Sequence, residues 1–136
     1  MRITIPLIPK GQRRARHTAR GGFSRTYKDA TQRHEENALM AYLAGHVPEK
    51  PISGPVALTF TAYLPIPVSK PKKWKAGAIA GEIRPCVKPD LDNIGKHLKD
   101  CLTTMRFWKD DRQVVVLRAE KKYSDNPRWE IEIKGI

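Results

Sequence analysis

Acidic residues stand at both ends of one helical pattern in the second half of the chain. The apolar residues of this pattern recur at three- and four-residue steps: Leu91, Ile94, Leu98, Cys101, Leu102 and Met105. Pro89 disfavours helical backbone at Lys88, and the apolar pattern starts at Leu91. The helix is therefore predicted to begin at Leu91. The acidic pairs that flank it are Asp90 with Asp92 and Asp110 with Asp111. The chain must therefore fold so that one face of this helix is buried while carboxylates stand at its ends.

Alternating apolar and polar residues predict three half-buried strands. They cover residues 3–7, 56–64 and 129–133, and the middle one has the clearest alternation and is predicted to be central in its sheet. Within residues 113–120, four consecutive apolar residues predict a strand that is buried on both faces. The last two strands are predicted to form a hairpin around a turn at residues 125–127.

A second helical pattern runs from about Thr26 to Gly45. The residues predicted to line its buried face are Ala30, Ala38, Ala41 and Tyr42, with Leu39, Met40 and Leu43 widening it. The order of elements is then strand, helix, strand, helix, strand, strand. This order predicts an α+β fold in which two helices pack on a mixed β-sheet. A length of 136 residues predicts a single domain that covers residues 1–136.

The chain carries 26 lysine and arginine residues against 14 acidic ones, which gives a net charge of +12. Such an excess favours a polyanionic partner, nucleic acid before an anionic membrane surface. No apolar run approaches the roughly 18 residues of a membrane span, and no signal-peptide pattern stands at the N-terminus. We therefore expect no membrane partner and a location in the cytoplasm. The two cysteines, Cys86 and Cys101, are predicted to be free thiols.

The positive charge is concentrated in two segments. Residues 10–28 are rich in arginine and glycine and predict a mobile loop that becomes ordered on a phosphate backbone, or else a solvated loop without a partner. Residues 65–75 combine prolines and lysines with Trp74 and predict a loop that faces nucleic acid, or else a linker in which Trp74 packs back onto the body. The residues predicted to contact DNA are Arg13, Arg14, Arg16, Arg20, Lys70, Lys72, Lys73, Lys75 and Lys88.

The carboxylates at the ends of the helix predict a metal site. If a return loop brings Asp111 back to Asp90 and Asp92, the three can bind one or two Mg²⁺ ions that activate a water and stabilise a leaving oxygen. Lys96, one turn after Asp92, can neutralise charge on a phosphate or position the scissile group. The alternative is that Asp90 and Asp92 only cap the helix. Spacing alone does not decide which of Asp110 and Asp111 points into the site.

Two motifs at these positions resemble the RusA family of Holliday-junction resolvases. They are Pro89-Asp90-Leu91-Asp92-Asn93-Ile94-Gly95-Lys96 and Phe107-Trp108-Lys109-Asp110-Asp111-Arg112-Gln113-Val114-Val115. The family pattern is D-L-D-N-x-x-K, followed about one helix later by W-x-D-D-x-Q-V. The resemblance is strongest over the last third of the chain. It departs from the family just before Asp90, where the family often has a run of arginines and this chain has Arg84-Pro85-Cys86-Val87-Lys88.

The resemblance implies a RusA-like fold and a homodimer that resolves four-way DNA junctions by paired symmetric nicks, in recombination and repair. It also implies that the cytoplasm is that of a bacterial or phage-infected host. It implies an endodeoxyribonuclease that depends on Mg²⁺, with Mn²⁺ able to substitute. The metal ligands that it implies are Asp90, Asp92 and Asp111, and the essential lysine is Lys96. Two alternatives remain at this point: a non-catalytic basic protein that binds nucleic acid, and a nuclease of the same chemistry that acts on flaps or forks.

Overall fold

The computed structural model describes residues 1–12, 16–20, 23–27 and 30–136, with the backbone alone for the two middle ranges. The strands are β1 (Arg2–Ile5), β2 (Arg16–Arg20), β3 (Phe23–Tyr27), β4 (Val56–Pro65), β5 (Val114–Ser124) and β6 (Arg128–Gly135). The helices are α1 (Ala30–Leu43), α2 (Lys72–Ile79) and α3 (Leu91–Thr104). Two short 3₁₀ turns cover Ala44–His46 and Asp111–Gln113.

Strand β4 lies inside a four-stranded mixed sheet, as its alternating sequence predicted. The strand order is β1-β6-β4-β5, in which β6 is antiparallel to β1 and β4, and β5 is parallel to β4. The buried face of β4 consists of Val56, Leu58, Phe60, Ala62 and Leu64. Because alternate residues of a strand point to opposite faces, the intervening threonines line the open, polar face of the sheet. The predicted α+β architecture is confirmed.

The last two strands are not neighbours, so the predicted hairpin is wrong. Strands β5 and β6 bond to opposite edges of β4, and the chain passes between them over residues 125–127. The chain can cross the end of β4 at this point because β4 stops at Pro65, which has no backbone N–H to continue the ladder. Strand β5 is therefore an edge strand and not a fully buried one, and Val115 and Leu117 are 61% and 49% exposed.

Helix α3 begins at Leu91 and buries the face that its sequence predicted. The buried residues of this face are Ile94, Leu98, Cys101 and Leu102. Gly95 is buried as well, and a Cβ at this position would lie 3.4 Å from the ring of Phe60, so glycine allows the helix to approach the sheet closely. Beyond the helix, Phe107 and Trp108 are fully buried. The core therefore holds α3 against the sheet along its whole length.

Helix α1 begins at Ala30 and not at Thr26, because Thr26 lies in β3. Its buried residues are Gln32, Glu36, Leu39 and Leu43, whereas Ala30, Ala41 and Tyr42 are exposed. The predicted face was right at Leu39 and Leu43 and wrong at Ala30, Ala41 and Tyr42, because two polar side chains are buried through hydrogen bonds in their place. Gln32 donates from Nε2 to Oε1 of Glu36 at 2.9 Å, and the same nitrogen lies 3.3 Å from Nδ1 of His97 on α3.

Two segments that were predicted as loops contain regular secondary structure. Strands β2 and β3 form an antiparallel hairpin within the segment predicted as a basic loop. Helix α2 occupies residues predicted as a proline-rich loop, and its Ala78 packs with Leu64 and Tyr123. Among the described residues, three helices rather than two therefore pack against the sheet. No helix in the described part of the chain is both long and apolar enough to cross a membrane.

Candidate active site

The first acidic pair is exposed at the N-terminus of α3. Asp90 is the extended residue before the helix, and its side chain makes no capping hydrogen bond within the described residues. Asp92 lies in the first turn, where its Oδ1 accepts a hydrogen bond from the backbone N–H of Asn93 at 3.0 Å. Capping therefore does not account for the carboxylate of Asp90, which remains accessible to a ligand.

Lys96 follows Asp92 by four residues on the same helix and is exposed. Residues four apart on a helix lie on one face, so the ammonium of Lys96 and the carboxylate of Asp92 share a surface. The opposite face of α3 is buried against the core, so this surface points toward solvent. Asp90 directly precedes this helix, and all three side chains, Asp90, Asp92 and Lys96, are exposed at its N-terminal part.

Lys121 fixes the segment that leads into Asp90. Its Nζ donates to the backbone carbonyl of Val87 at 2.8 Å and to that of Pro89 at 3.1 Å. Lys121 lies on β5 opposite Ala62 of β4, so the sheet sets the position of this ammonium. Sequence reasoning missed this role, because a lysine within a strand carries no local signal for a backbone contact to a distant segment.

The basic N-terminal segment begins beside the acidic pair. The backbone N–H of Gln12 donates to the carbonyl of Asn93 at 3.2 Å, and its side chain donates to Oδ2 of Asp100 at 2.6 Å. Asp100 of α3 is therefore bound to a neutral amide. A Cβ on Gly11 would lie 3.0 Å from Cβ of Pro89, so this close approach requires glycine.

The two residues of the second acidic pair, Asp110 and Asp111, differ in their contacts. Oδ1 of Asp110 accepts the backbone N–H of Arg112 at 2.9 Å, and its Oδ2 lies 3.0 Å from the guanidinium of the same residue. Gln113 closes a capping box by accepting the backbone N–H of Asp110 at 3.1 Å. The side-chain and backbone hydrogen bonds from Arg112 hold the pKa of Asp110 below its usual value. Asp110 is thus engaged in the turn, while the neighbouring Asp111 is exposed.

Asp111 lies at the opposite end of α3 from the first acidic pair. The helix has 14 residues, and at about 1.5 Å per residue it spans about 21 Å. Seven residues of β5, at about 3.3 Å each, likewise separate Val114 from Lys121, which gives about 23 Å. The predicted return loop is therefore wrong within one protomer, since β5 starts beside the start of β4 while Asp90 lies near the end of β5. No cluster of three His, Cys, Asp or Glu residues that could hold a metal occurs within the described residues.

The sequence model of the family described as "Endodeoxyribonuclease RusA" matches residues 6–134. The chain belongs to the RusA family of endodeoxyribonucleases. It is 36% identical to the Bacillus subtilis (strain 168) protein named "Uncharacterized protein YqaN" over 138 aligned residues, which cover 100% of this chain and 96% of that protein. It is also 45% identical to the "Crossover junction endodeoxyribonuclease rusA" of Lactococcus phage r1t over 49 residues, 36% of this chain and 37% of that protein.

Membership of the RusA family identifies the chain as an endodeoxyribonuclease, as predicted. Nucleases of the RusA family depend on divalent metal ions in general. The donor set of this chain suits such an ion, because Asp90 and Asp92 offer exposed carboxylate oxygens two residues apart. Hard divalent cations such as Mg²⁺ prefer these ligands together with water and phosphate oxygens.

The lysines predicted to contact DNA in this RusA-family protein lie on α2 and in the segments before α2 and before α3. Lys72, Lys73 and Lys75 lie on α2, where the first two are exposed and the third is half-buried. Lys70 and Lys88 are exposed in the segments before α2 and before α3. Arg13 and Arg14 lie outside the described residues. Arg16 and Arg20 lie in β2, but their side chains are outside the described part of the chain.

Proposed function

We propose that this RusA-family endodeoxyribonuclease resolves four-way DNA junctions by paired symmetric nicks and uses Mg²⁺, for which Mn²⁺ can substitute. The observation that carries the proposal is the exposed pair at the start of α3, where Asp90 makes no capping bond within the described residues. The phage relative named a crossover junction endodeoxyribonuclease supports the choice of substrate. The net charge of +12 supports a polyanionic substrate of this kind.

In this proposal Asp90, Asp92 and Asp111 hold the metal. When bound, the metal activates a water and stabilises the leaving oxygen of the cleaved phosphodiester. Lys96 faces solvent one turn after Asp92 and neutralises charge that develops on the phosphate. Asp110 takes no part, because its carboxylate is bound to Arg112.

The separation of about 20 Å between Asp111 and the first acidic pair supports a site that is completed by a second copy of the chain. Strand β5 offers a surface for this purpose. Within the described sheet it is bonded on one side only, to β4, and its outer part exposes Val115 and Leu117. An exposed apolar edge strand is a template for pairing with another strand.

An antiparallel pairing of two β5 strands would bring the separated carboxylates together. About a two-fold axis at Val116, Val115 would stand opposite the partner subunit's Leu117, so that the exposed apolar side chains meet. In the same register Asp111 would stand opposite the partner subunit's Lys121. Lys121 is the residue that fixes the segment before Asp90, so this arrangement brings Asp111 of each protomer to the acidic pair of the other.

A two-fold homodimer also suits the substrate. A four-way junction has approximate two-fold symmetry, and two symmetric nicks require two equivalent sites, which a C2 dimer supplies. The exposed lysines before and on α2, together with Lys88 and the arginines at 13, 14, 16 and 20, would bind the phosphate backbone of the arms.

The experiment that tests this function is the incubation of a labelled four-way junction with the protein, with and without Mg²⁺. We expect paired nicks only with the metal, and no nicks from an Asp92→Asn variant that still binds the junction. Binding without any metal-dependent nick would contradict the proposal. Faster cutting of flaps or replication forks than of junctions would favour the alternative substrates.

A further inference from the structure

A cavity of about 360 Å³ lies beside the acidic pair and has no assigned role in the chemistry above. Its lining includes Trp74, Tyr123, Lys10, Lys70, Lys88 and Pro89. Pro89 is the residue directly before Asp90, so the cavity opens one residue away from a proposed metal ligand. The volume lies within the range of about 300 to 1,000 Å³ that is typical of small-molecule sites.

One wall of the cavity is aromatic and firmly held. Trp74 contacts Tyr123 edge to face, with ring centroids 5.4 Å apart and an angle of 62° between the planes. Tyr123 is 8% exposed and packs with Ala78 of α2, so the sheet and the helix both hold this wall in place. Trp74 itself is half-buried, which leaves part of its ring accessible.

The charge of the cavity selects an anionic ligand. Lys10, Lys70 and Lys88 contribute three cations, and none of the described lining residues is acidic. Lys70 is exposed, and its Nζ lies 5.1 Å from the centroid of the Trp74 ring. A flat ligand ring that stacks on Trp74 would take the place of the Lys70 ammonium. The displaced ammonium could then contact a phosphate attached to the ligand ring. A nucleotide meets both requirements, because its base is a flat ring and its phosphate is an anion.

We propose that this cavity, the base pocket (Lys10, Lys70, Trp74, Lys88 and Tyr123), receives one unpaired nucleotide of the strand being cut, next to the phosphate held at Asp90 and Asp92. The inference rests on the proposed function, since it places the scissile phosphate at the acidic pair. A duplex stacks its bases inside, whereas a branch point can release one at little cost. The base pocket therefore sets which base is preferred beside the nick.

Tryptophan fluorescence tests occupancy of the base pocket without any cleavage. Trp108 and Trp129 are buried, so Trp74 is the tryptophan that bound DNA can contact. With Asp92→Asn protein, we expect a four-way junction to quench the emission, and we expect Trp74→Phe in the same background to abolish the quenching. Quenching that persists after Trp74→Phe, or junction binding by anisotropy without quenching, would overturn the inference. An emission shift that depends on protein concentration alone would assign the cavity to a second copy and overturn it equally.

The predicted base preference is tested by cleavage of a set of junctions that differ in the bases flanking the nick. Trp74→Leu and Lys70→Met should reduce the preference for the best base about tenfold, which is the scale of one stacked base. Tyr42→Leu on α1 and Lys134→Met on β6 are matched controls at exposed positions and should leave the preference unchanged. An unaltered preference in Lys70→Met, whose exposed position does not endanger folding, would contradict the base pocket. A wild-type protein that cuts no junction would refute the proposed function, and the fluorescence result would still decide whether the pocket binds a base.

Discussion

Lys121 and Pro89 are joined by a hydrogen bond, with Nζ of the lysine 3.1 Å from the carbonyl oxygen of the proline. A second bond, at 2.8 Å, joins the same ammonium to the carbonyl of Val87. Lys121 belongs to β5 and is paired with β4, so both bonds tie the segment before Asp90 to the rigid sheet. The proposed metal ligand at the start of α3 is thereby held in place by the strand that would also form the dimer edge.

Replacement of Lys121 by methionine should impair cleavage by releasing this segment. A misplacement of about 1 Å at a reacting centre can cost about 100-fold in rate, so we expect at least a tenfold loss. The lost hydrogen bonds should also lower the free energy of unfolding by about 1 kcal/mol. Lys122→Met, at the next residue of β5 with its side chain on the other face, is the matched control and should retain cleavage. Equal rates for the two variants in a junction-cleavage assay would contradict a positioning role for Lys121.

Gly11→Ala should disturb the path from the basic segment to the acidic pair. The added Cβ would meet Cβ of Pro89 at 3.0 Å, so either the segment or the proline must shift. We expect slower junction cleavage and weaker binding, measured by a gel assay and by anisotropy. Gly45→Ala adds a Cβ with no atom within 4 Å and is the control. Indistinguishable activity of the two variants would mean that this close contact has no functional role.

Asp110→Asn and Asp111→Asn should separate the two members of the second acidic pair. Asparagine can still cap the turn, so Asp110→Asn should keep metal-dependent cleavage even though it weakens the contact with Arg112. Asp111→Asn should abolish cleavage while leaving thermal unfolding unchanged, because Asp111 is exposed and outside the capping box. Loss of cleavage in Asp110→Asn with full activity in Asp111→Asn would reverse the assignment.

Leu117→Lys should break the proposed dimer and, with it, cleavage. A charge on an exposed edge strand opposes pairing with a second strand. We expect monomers in analytical ultracentrifugation and no nicks at protein concentrations where the wild type is dimeric. The control is Val68→Lys, which introduces the same charge at a position that is 88% exposed in the loop between β4 and α2. A Leu117→Lys variant that remains dimeric and active would exclude the β5 edge as the dimer surface.

The parts of the fold that local sequence could predict are those whose pattern is decided locally. Helix α3 has apolar residues at helical spacing and a proline before it, and β4 alternates over its whole length. The order of β4, β5 and β6 depends on distant pairing, which no local pattern contains. Helix α2 was missed because Pro71 resembled a helix breaker, although it stands just before the first helical residue, where a missing N–H costs no hydrogen bond.

The candidate site divides in the same way. Asp90, Asp92 and Lys96 are close in sequence, at and just before the start of one helix, so local spacing was enough to place them near one helix end. The position of Asp111 depends on the direction of β5 relative to β4, and the contact of Lys121 depends on a loop more than 30 residues away in the chain. The burial of Gln32 and Glu36 on α1 was equally hidden, because it depends on His97 of α3.

The most direct measurement mixes two inactive variants, Asp92→Asn and Asp111→Asn, and allows their subunits to exchange before junction DNA and Mg²⁺ are added. If each site combines Asp90 and Asp92 of one protomer with Asp111 of the other, a mixed dimer contains one intact site and one doubly altered site. We predict that the mixture recovers nicking of one strand per junction, whereas neither variant alone cuts. If mixed dimers form, shown by differently tagged subunits, but no nicking returns, the shared site is wrong and the three aspartates do not meet between protomers.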